Sequence, residues 1–70
     1  MIKLEKGEFV NFQEVKLQNP TQGDWEVEYD YNKISLEVIE KKDNVIIFRV
    51  FRYNEKGELC PKGRITIQFL

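Results

Sequence analysis

The sequence contains no histidine and a single cysteine, Cys60, in 70 residues. An internal disulfide and a zinc site built from several thiolates or imidazoles are therefore excluded. Cys60 also lacks a histidine base, so a cysteine nucleophile is not expected. Because a Gly-rich phosphate loop, a metal-ligand cluster and a serine triad are missing too, we predict that the chain is not an enzyme and binds no cofactor or metal.

Long apolar runs are also missing. No stretch approaches the roughly 18 residues of a membrane span, and residues 1–7 lack the apolar centre of a signal peptide. We therefore expect no membrane contact and a cytoplasmic location. The net charge of −1 provides no global positive field that would attract nucleic acid or anionic lipid.

The residues that are present indicate one small folded domain that spans residues 1–70. Hydrophobic residues make up 41% of the chain and charged residues 33%, with five Phe, three Tyr and one Trp. This composition lies outside the disordered class. A chain of this length buries only about 60% of its unfolded surface, so we expect a small margin of stability that large aromatic side chains or a partner subunit would increase.

Alternation of apolar and polar residues in four segments, together with the apolar segment Val45–Tyr53, predicts five strands and no clear helix. A slip in the alternation at Gln13–Glu14 predicts a β-bulge or bend in the first strand. Cys60–Gly63 is interpreted as a kink within the last strand, because Pro is tolerated at a bulge or on an edge. The predicted strands are Glu8–Gln18, Asp24–Tyr31, Ile34–Lys41, Val45–Tyr53 and Glu58–Phe69.

Turn-forming residues separate these strands at regular intervals. The connections are Asn19–Gly23, Tyr31–Lys33, Lys42–Asn44 and Asn54–Gly57. Short connections make neighbouring strands antiparallel, so we predict an all-β fold. Its architecture would be a five-stranded antiparallel meander forming a small barrel or a two-layer sandwich.

The segment Val45–Tyr53 is apolar on both of its faces, which normally indicates burial on both sides. If it pairs with the preceding strand across the hairpin tip, Ile34, Leu36 and Val38 share a face with its odd-numbered residues. Arg49 on that face is expected to pair with a carboxylate such as Glu40. The even-numbered residues, joined by Ile39, form a second apolar face.

That second face requires cover, because five strands with no helix enclose only one interior. Either the first strand crosses over it, or a second copy or a different protein docks there. If it is exposed, we predict a partner-binding patch that consists of Ile39, Ile46, Phe48 and Val50.

Four carboxylates alternate along the second predicted strand, about 6.6–7 Å apart. They are interpreted as a solvated face, or as an acidic ridge that docks a basic partner. The ridge consists of Asp24, Glu26, Glu28 and Asp30.

Two further binding modes follow from the aromatic residues. Arg49 and Arg52 lie among Phe48, Phe51 and Tyr53, as in the OB-like and SH3-like domains that bind single-stranded nucleic acid. The two arginines nevertheless fall on opposite faces. A small-ligand pocket would use Trp25, Tyr29 and Tyr31. We predict primarily a protein-binding module of the adaptor, assembly or inhibitor type, with self-association or a protein partner, and a nucleic-acid binder as the alternative.

Overall fold

The computed structural model describes residues 3–23 and 33–70. Its strands are β1 (Phe9–Val10), β2 (Pro20–Gly23), β3 (Ile34–Lys42), β4 (Val45–Tyr53) and β5 (Leu59–Phe69), and its helix is α1 (Phe12–Lys16). The strands form one antiparallel sheet in the order β1-β3-β4-β5-β2 that curls into a half-barrel. The predicted all-β fold is confirmed. Only β3, β4 and β5 form a meander. β1 pairs with the free edge of β3, and β2 pairs with the free edge of β5.

The prediction of a strand over Glu8–Gln18 is wrong beyond Val10, because helix α1 follows β1 in that segment. Asn11 caps this helix: its side-chain oxygen accepts a hydrogen bond from the Glu14 backbone N–H at 2.9 Å. Phe12 and Val15, three residues apart, are both buried against the sheet. A helix of five residues has no stability of its own, so this packing holds it.

The predicted loop Asn19–Gly23 is also wrong, because four of its residues form strand β2 along the end of β5. The predicted strand Asp24–Tyr31 lies outside the described residues. In contrast, the boundaries of β4 coincide with the prediction, and those of β3 and β5 differ by one residue.

The turns of the meander follow the predicted chemistry. The β3–β4 hairpin turns at Asp43 and Asn44, with Asp43 at a φ of 56°. Between β4 and β5, the Asn54 side chain accepts hydrogen bonds at 2.9 Å from the backbone N–H groups of Lys56 and Glu58. Gly57 supplies a φ of 79° in the same loop, a value at which side chains are unfavourable. Both connections are therefore fixed by local interactions.

Strand β5 runs without interruption through Cys60–Gly63, which confirms the kink. The register shifts there, since Val50 is opposite Gly63 while Phe51 is opposite Pro61. One extra residue, Lys62, is accommodated in the strand, as in a β-bulge.

A second bulge, at Ile39, determines which side chains of β3 and β4 share a face. Val38 lies opposite Phe48, whereas Glu40 lies opposite Ile47. Without the extra residue, the two-residue turn would place Val38 opposite Arg49. One inserted residue moves every side chain beyond it to the other face of the sheet.

The predicted face assignment of β3 is therefore wrong: Ile34, Leu36 and Val38 share their face with Phe48 and Val50. The bulge thus places the apolar side chains of β3 on the same face as the even-numbered apolar side chains of β4, so that both sets are buried.

The core occupies this single face. Side chains of the N-terminal segment and α1 cover it, with Val15 fully buried. The Glu5 carboxylate lies 3.8 Å from the Lys41 Nζ and ties this segment to β3. The buried side chains are Leu4, Val10, Phe12, Val15, Ile34, Leu36, Val38, Ile46, Phe48, Val50, Ile65, Ile67 and Phe69.

Candidate functional site

Three members of the predicted apolar patch are core residues. Ile46, Phe48 and Val50 each have 0% of their surface exposed. Ile39, the fourth member, is half-buried at the bulge of β3. The chain thus covers this face by itself, as in the internal-cover alternative, and a partner cannot touch the three buried side chains while the sheet is intact.

The acidic ridge, with Asp24, Glu26, Glu28 and Asp30, lies outside the described residues. The same holds for the proposed pocket residues Trp25, Tyr29 and Tyr31. The structure therefore describes no geometry for the acidic ridge or for the small-ligand pocket.

The face of the sheet opposite the core, which we call the outer face, is the convex side of the half-barrel. Along β4 it carries Val45, Ile47, Arg49, Phe51 and Tyr53. The first four are half-buried and Tyr53 is 65% exposed. Most of these side chains are large and apolar, so this face retains apolar surface in contact with solvent.

An aromatic pair connects β1 with β4 on the outer face. The ring centroids of Phe9 and Phe51 lie 5.4 Å apart, with the rings tilted by 46°. This arrangement falls within the favourable range for aromatic pairs. Nevertheless, Phe9 stays 54% exposed. The Phe9 ring therefore packs against a second ring on one side and faces solvent on the other.

A row of four side chains starts at Phe9 and crosses β1, β3, β4 and β5 on this face, and we call it the outer row. Phe9, Glu37, Arg49 and Arg64 are successive neighbours in it. A guanidinium nitrogen of Arg49 lies 3.5 Å from a Glu37 carboxylate oxygen. The expected pairing of Arg49 with Glu40 is therefore corrected to Glu37, because the Ile39 bulge brings Glu37 opposite Arg49.

The predicted nucleic-acid platform is divided between the two sides of the sheet. Arg49 and Tyr53 lie on the outer face, Arg52 lies opposite Ile34 on the other side, and Phe48 is in the core. The opposite orientation of the two arginines agrees with the prediction. A basic and aromatic surface on the outer face would use Arg64 and Phe51 instead.

Two open clefts border the β3–β4 hairpin. One, of about 320 Å³, lies at the turn and is lined in part by Glu40, Val45 and Ile47. The other, of about 360 Å³, lies at the opposite end and is lined by Lys33, Ile34, Arg52 and Tyr53. Their volumes are at the lower limit for small-molecule sites, and the openness of both clefts favours macromolecular contact over enclosure of a ligand.

Among residues 3–23 and 33–70, no group of three or more His, Cys, Asp or Glu side chains is placed to hold a metal ion. Likewise, none of the helical structure described there has the length and apolar character needed to cross a membrane. Cys60 is a half-buried free cysteine, and its sulfur lies 3.5 Å from the Asn54 side-chain nitrogen.

Phe9 and Arg64 were not predicted as candidate site residues from the sequence, and Phe51 was named only as a neighbour of the two arginines. Phe9 was hidden because the first segment was interpreted as one long strand. Phe51 was assigned to a face expected to be core, because the Ile39 bulge was not foreseen. The available signal was Arg49, which interrupts the odd-numbered face of β4 and marks it as the wet one.

Comparisons with known proteins identify no relative of this chain, since no protein-family model, no curated protein and no solved structure matches it.

Proposed function

We propose that this chain is a non-enzymatic protein-binding module that contacts its partner through the outer face of β1, β3, β4 and β5. The observation that supports this most is the Phe9–Phe51 pair, because one of its rings is 54% exposed. Aromatic and arginine side chains dominate the binding energy of protein interfaces. The partner would present apolar side chains beside a carboxylate that pairs with the arginines of the outer row.

Charge supports a protein rather than nucleic acid as the occupant. Glu37 lies within the outer row, 3.5 Å from Arg49, and neutralises one of the two arginines there. Proteins bind a phosphate backbone through several Lys and Arg side chains, and this row leaves only one unbalanced positive charge. The whole chain has a net charge of −1, which further weakens non-specific attraction to a polyanion. A protein surface places single carboxylates and apolar groups close together and fits this mixture better.

Shape supports a different protein rather than a second copy. The outer face is convex, and two convex sheets touch over a small area. A stable interface buries about 800 Å² per partner, about a sixth of the 5023 Å² of accessible surface that this chain has. A concave or flexible partner reaches that area more readily than another half-barrel does.

The acidic ridge remains a prediction from the sequence, as a second docking surface for a basic partner. An adaptor, assembly or inhibitor role in the cytoplasm is consistent with both surfaces.

A matched pair of variants tests the proposed face. Phe9 and Leu17 are both exposed, at 54% and 78%, and Leu17 lies at the end of α1, away from the outer face. We expect Phe9→Ser to abolish capture of the partner from an extract of the source cells, and Leu17→Ser to leave it intact. Equal loss in both variants, or in neither, would contradict the proposal.

Sedimentation of the purified chain at two concentrations tests the second-copy alternative. We expect a monomer at both concentrations. A dimer that Phe9→Ser dissociates would show that the occupant is another copy of the chain.

A further inference from the structure

The outer row contains two arginines at directly opposed positions of neighbouring strands. Arg49 in β4 is the register partner of Arg64 in β5. Side chains opposed in this way have Cβ atoms about 4.5–5.5 Å apart, and like charges in such positions are destabilising. The register therefore places two like charges side by side at the centre of the outer face.

The described part of the chain balances only one of these two charges. Glu37 is paired with Arg49 at 3.5 Å. Arg64 is exposed, and it forms no ion pair with a carboxylate of residues 3–23 or 33–70. The row of Glu37, Arg49 and Arg64 thus has a formal charge of +1, located on the side of Arg64.

From this geometry we infer that Arg49 and Arg64 together form a carboxylate-binding site, which receives an aspartate or glutamate of the partner protein. This inference rests on the proposed function, because the partner supplies the carboxylate. A guanidinium binds a carboxylate through two parallel hydrogen bonds. A carboxylate bound at Arg64 would also relieve the repulsion between the two arginines.

The aromatic pair of Phe9 and Phe51, next to the charged residues of the outer row, would make this contact stronger than one on an open surface. Phe9 and Phe51 lie on the same face, and Phe51 follows Arg49 by two residues along β4. An apolar group docked on these rings removes water from the neighbouring ion pair. Ion pairs gain strength as the surrounding dielectric falls.

Arginine side-chain NMR tests the site without a known partner. The chain has three arginines, and Arg52, on the opposite side of β4, is an internal control. When acetate replaces chloride at constant ionic strength, we expect the Nε–H resonances of Arg49 and Arg64 to shift at least twofold more than that of Arg52. Equal shifts, or a larger shift at Arg52, would overturn the inference.

Stability measurements on Arg64→Gln and Arg52→Gln give a second readout. Both changes remove one positive charge, but only Arg64→Gln removes the opposed pair. We expect the urea midpoint of Arg64→Gln to equal or exceed that of the wild type at low salt, while Arg52→Gln does not raise it. A marked loss of stability in Arg64→Gln would show that Arg64 has a structural role and would overturn the inference.

Partner capture separates failure of this inference from failure of the proposed function. We expect Arg64→Gln to weaken capture at least tenfold and Arg52→Gln to leave it unchanged. If Phe9→Ser abolishes capture and Arg64→Gln does not affect it, the docking face stands and the carboxylate site is wrong. If neither variant has an effect, the proposed function itself fails. Arg64-dependent binding of a single-stranded oligothymidine, rather than of a protein, would also overturn the inference.

Discussion

Truncation of Phe48 tests the assignment of the two faces of β4. Phe48 has 0% of its surface exposed and lies between Val38 in β3 and Ile65 in β5. Full burial of a phenylalanine side chain contributes about 1.5–3 kcal/mol to the free energy of unfolding, and Phe48→Ala loses this contribution. A residual void of roughly 40–80 Å³ in Phe48→Ala adds about 1–2 kcal/mol, at about 24 cal/mol per Å³. The total, about 2.5–5 kcal/mol, is a large part of the roughly 3.5–10 kcal/mol that stabilises a domain of this size.

Its neighbour Ile47 provides the matched control. Ile47 lies in the same strand but on the outer face, where it is half-buried. We expect Ile47→Ala to cost about 1 kcal/mol, in the range of an ordinary substitution. Urea unfolding followed by tryptophan fluorescence, with a common slope for the three proteins, measures both losses. If Ile47→Ala is as destabilising as Phe48→Ala, the assignment of the core face is wrong.

Three further predictions concern local interactions. Asn11→Ala should destabilise the fold by about 0.5–2 kcal/mol through loss of the helix cap; because Asn11→Asp retains the acceptor, equal losses in the two variants under urea would argue against capping. Asn54→Ala should cost about 1–3 kcal/mol, since two backbone N–H groups lose their acceptor; hydrogen exchange should quicken at residues 56 and 58, and unchanged exchange there would contradict this role. In a double-mutant cycle, Glu37 and Arg49, which are partly exposed, should show a coupling energy of at most about 1 kcal/mol. A larger coupling would mean that the pair is shielded from solvent more than its exposure indicates.

Features that depend on residues close together in the sequence were predicted correctly. Strand β4 and the turns at Asp43–Asn44 and Asn54–Gly57 depend on residues close in sequence, and each was predicted. The kink at Cys60–Gly63 was likewise indicated by Pro and Gly together. These features follow from the conformational preferences of a few adjacent residues.

The errors arose where tertiary packing determines the structure. Asn11 and Glu14 have the spacing of a helix N-cap, and Phe12 and Val15 have helical spacing. However, the segment is too short for periodicity to distinguish a helix from a bulged strand. Packing of Phe12 and Val15 against the sheet decides in favour of the helix.

The Ile39 bulge had the largest effect on the interpretation of function. Which side chains share a face within β3, and which within β4, was predicted correctly. The register between the two strands, however, depends on burying the apolar side chains of β3 together with the even-numbered side chains of β4. A single extra residue exchanged the core face and the outer face. It transferred the candidate docking surface from Ile46, Phe48 and Val50 to Arg49, Phe51 and their neighbours.

Photo-crosslinking from the outer face measures the central claim most directly. Benzoylphenylalanine would replace Phe9 in one variant and Leu17 in another, and each would be irradiated in an extract of the source cells. We predict that position 9 gives a discrete crosslinked protein that Arg64→Gln reduces and that position 17 does not give it. The same adduct from position 17, or an adduct from neither position, would contradict the claim that this protein binds its partner through the outer face of the sheet.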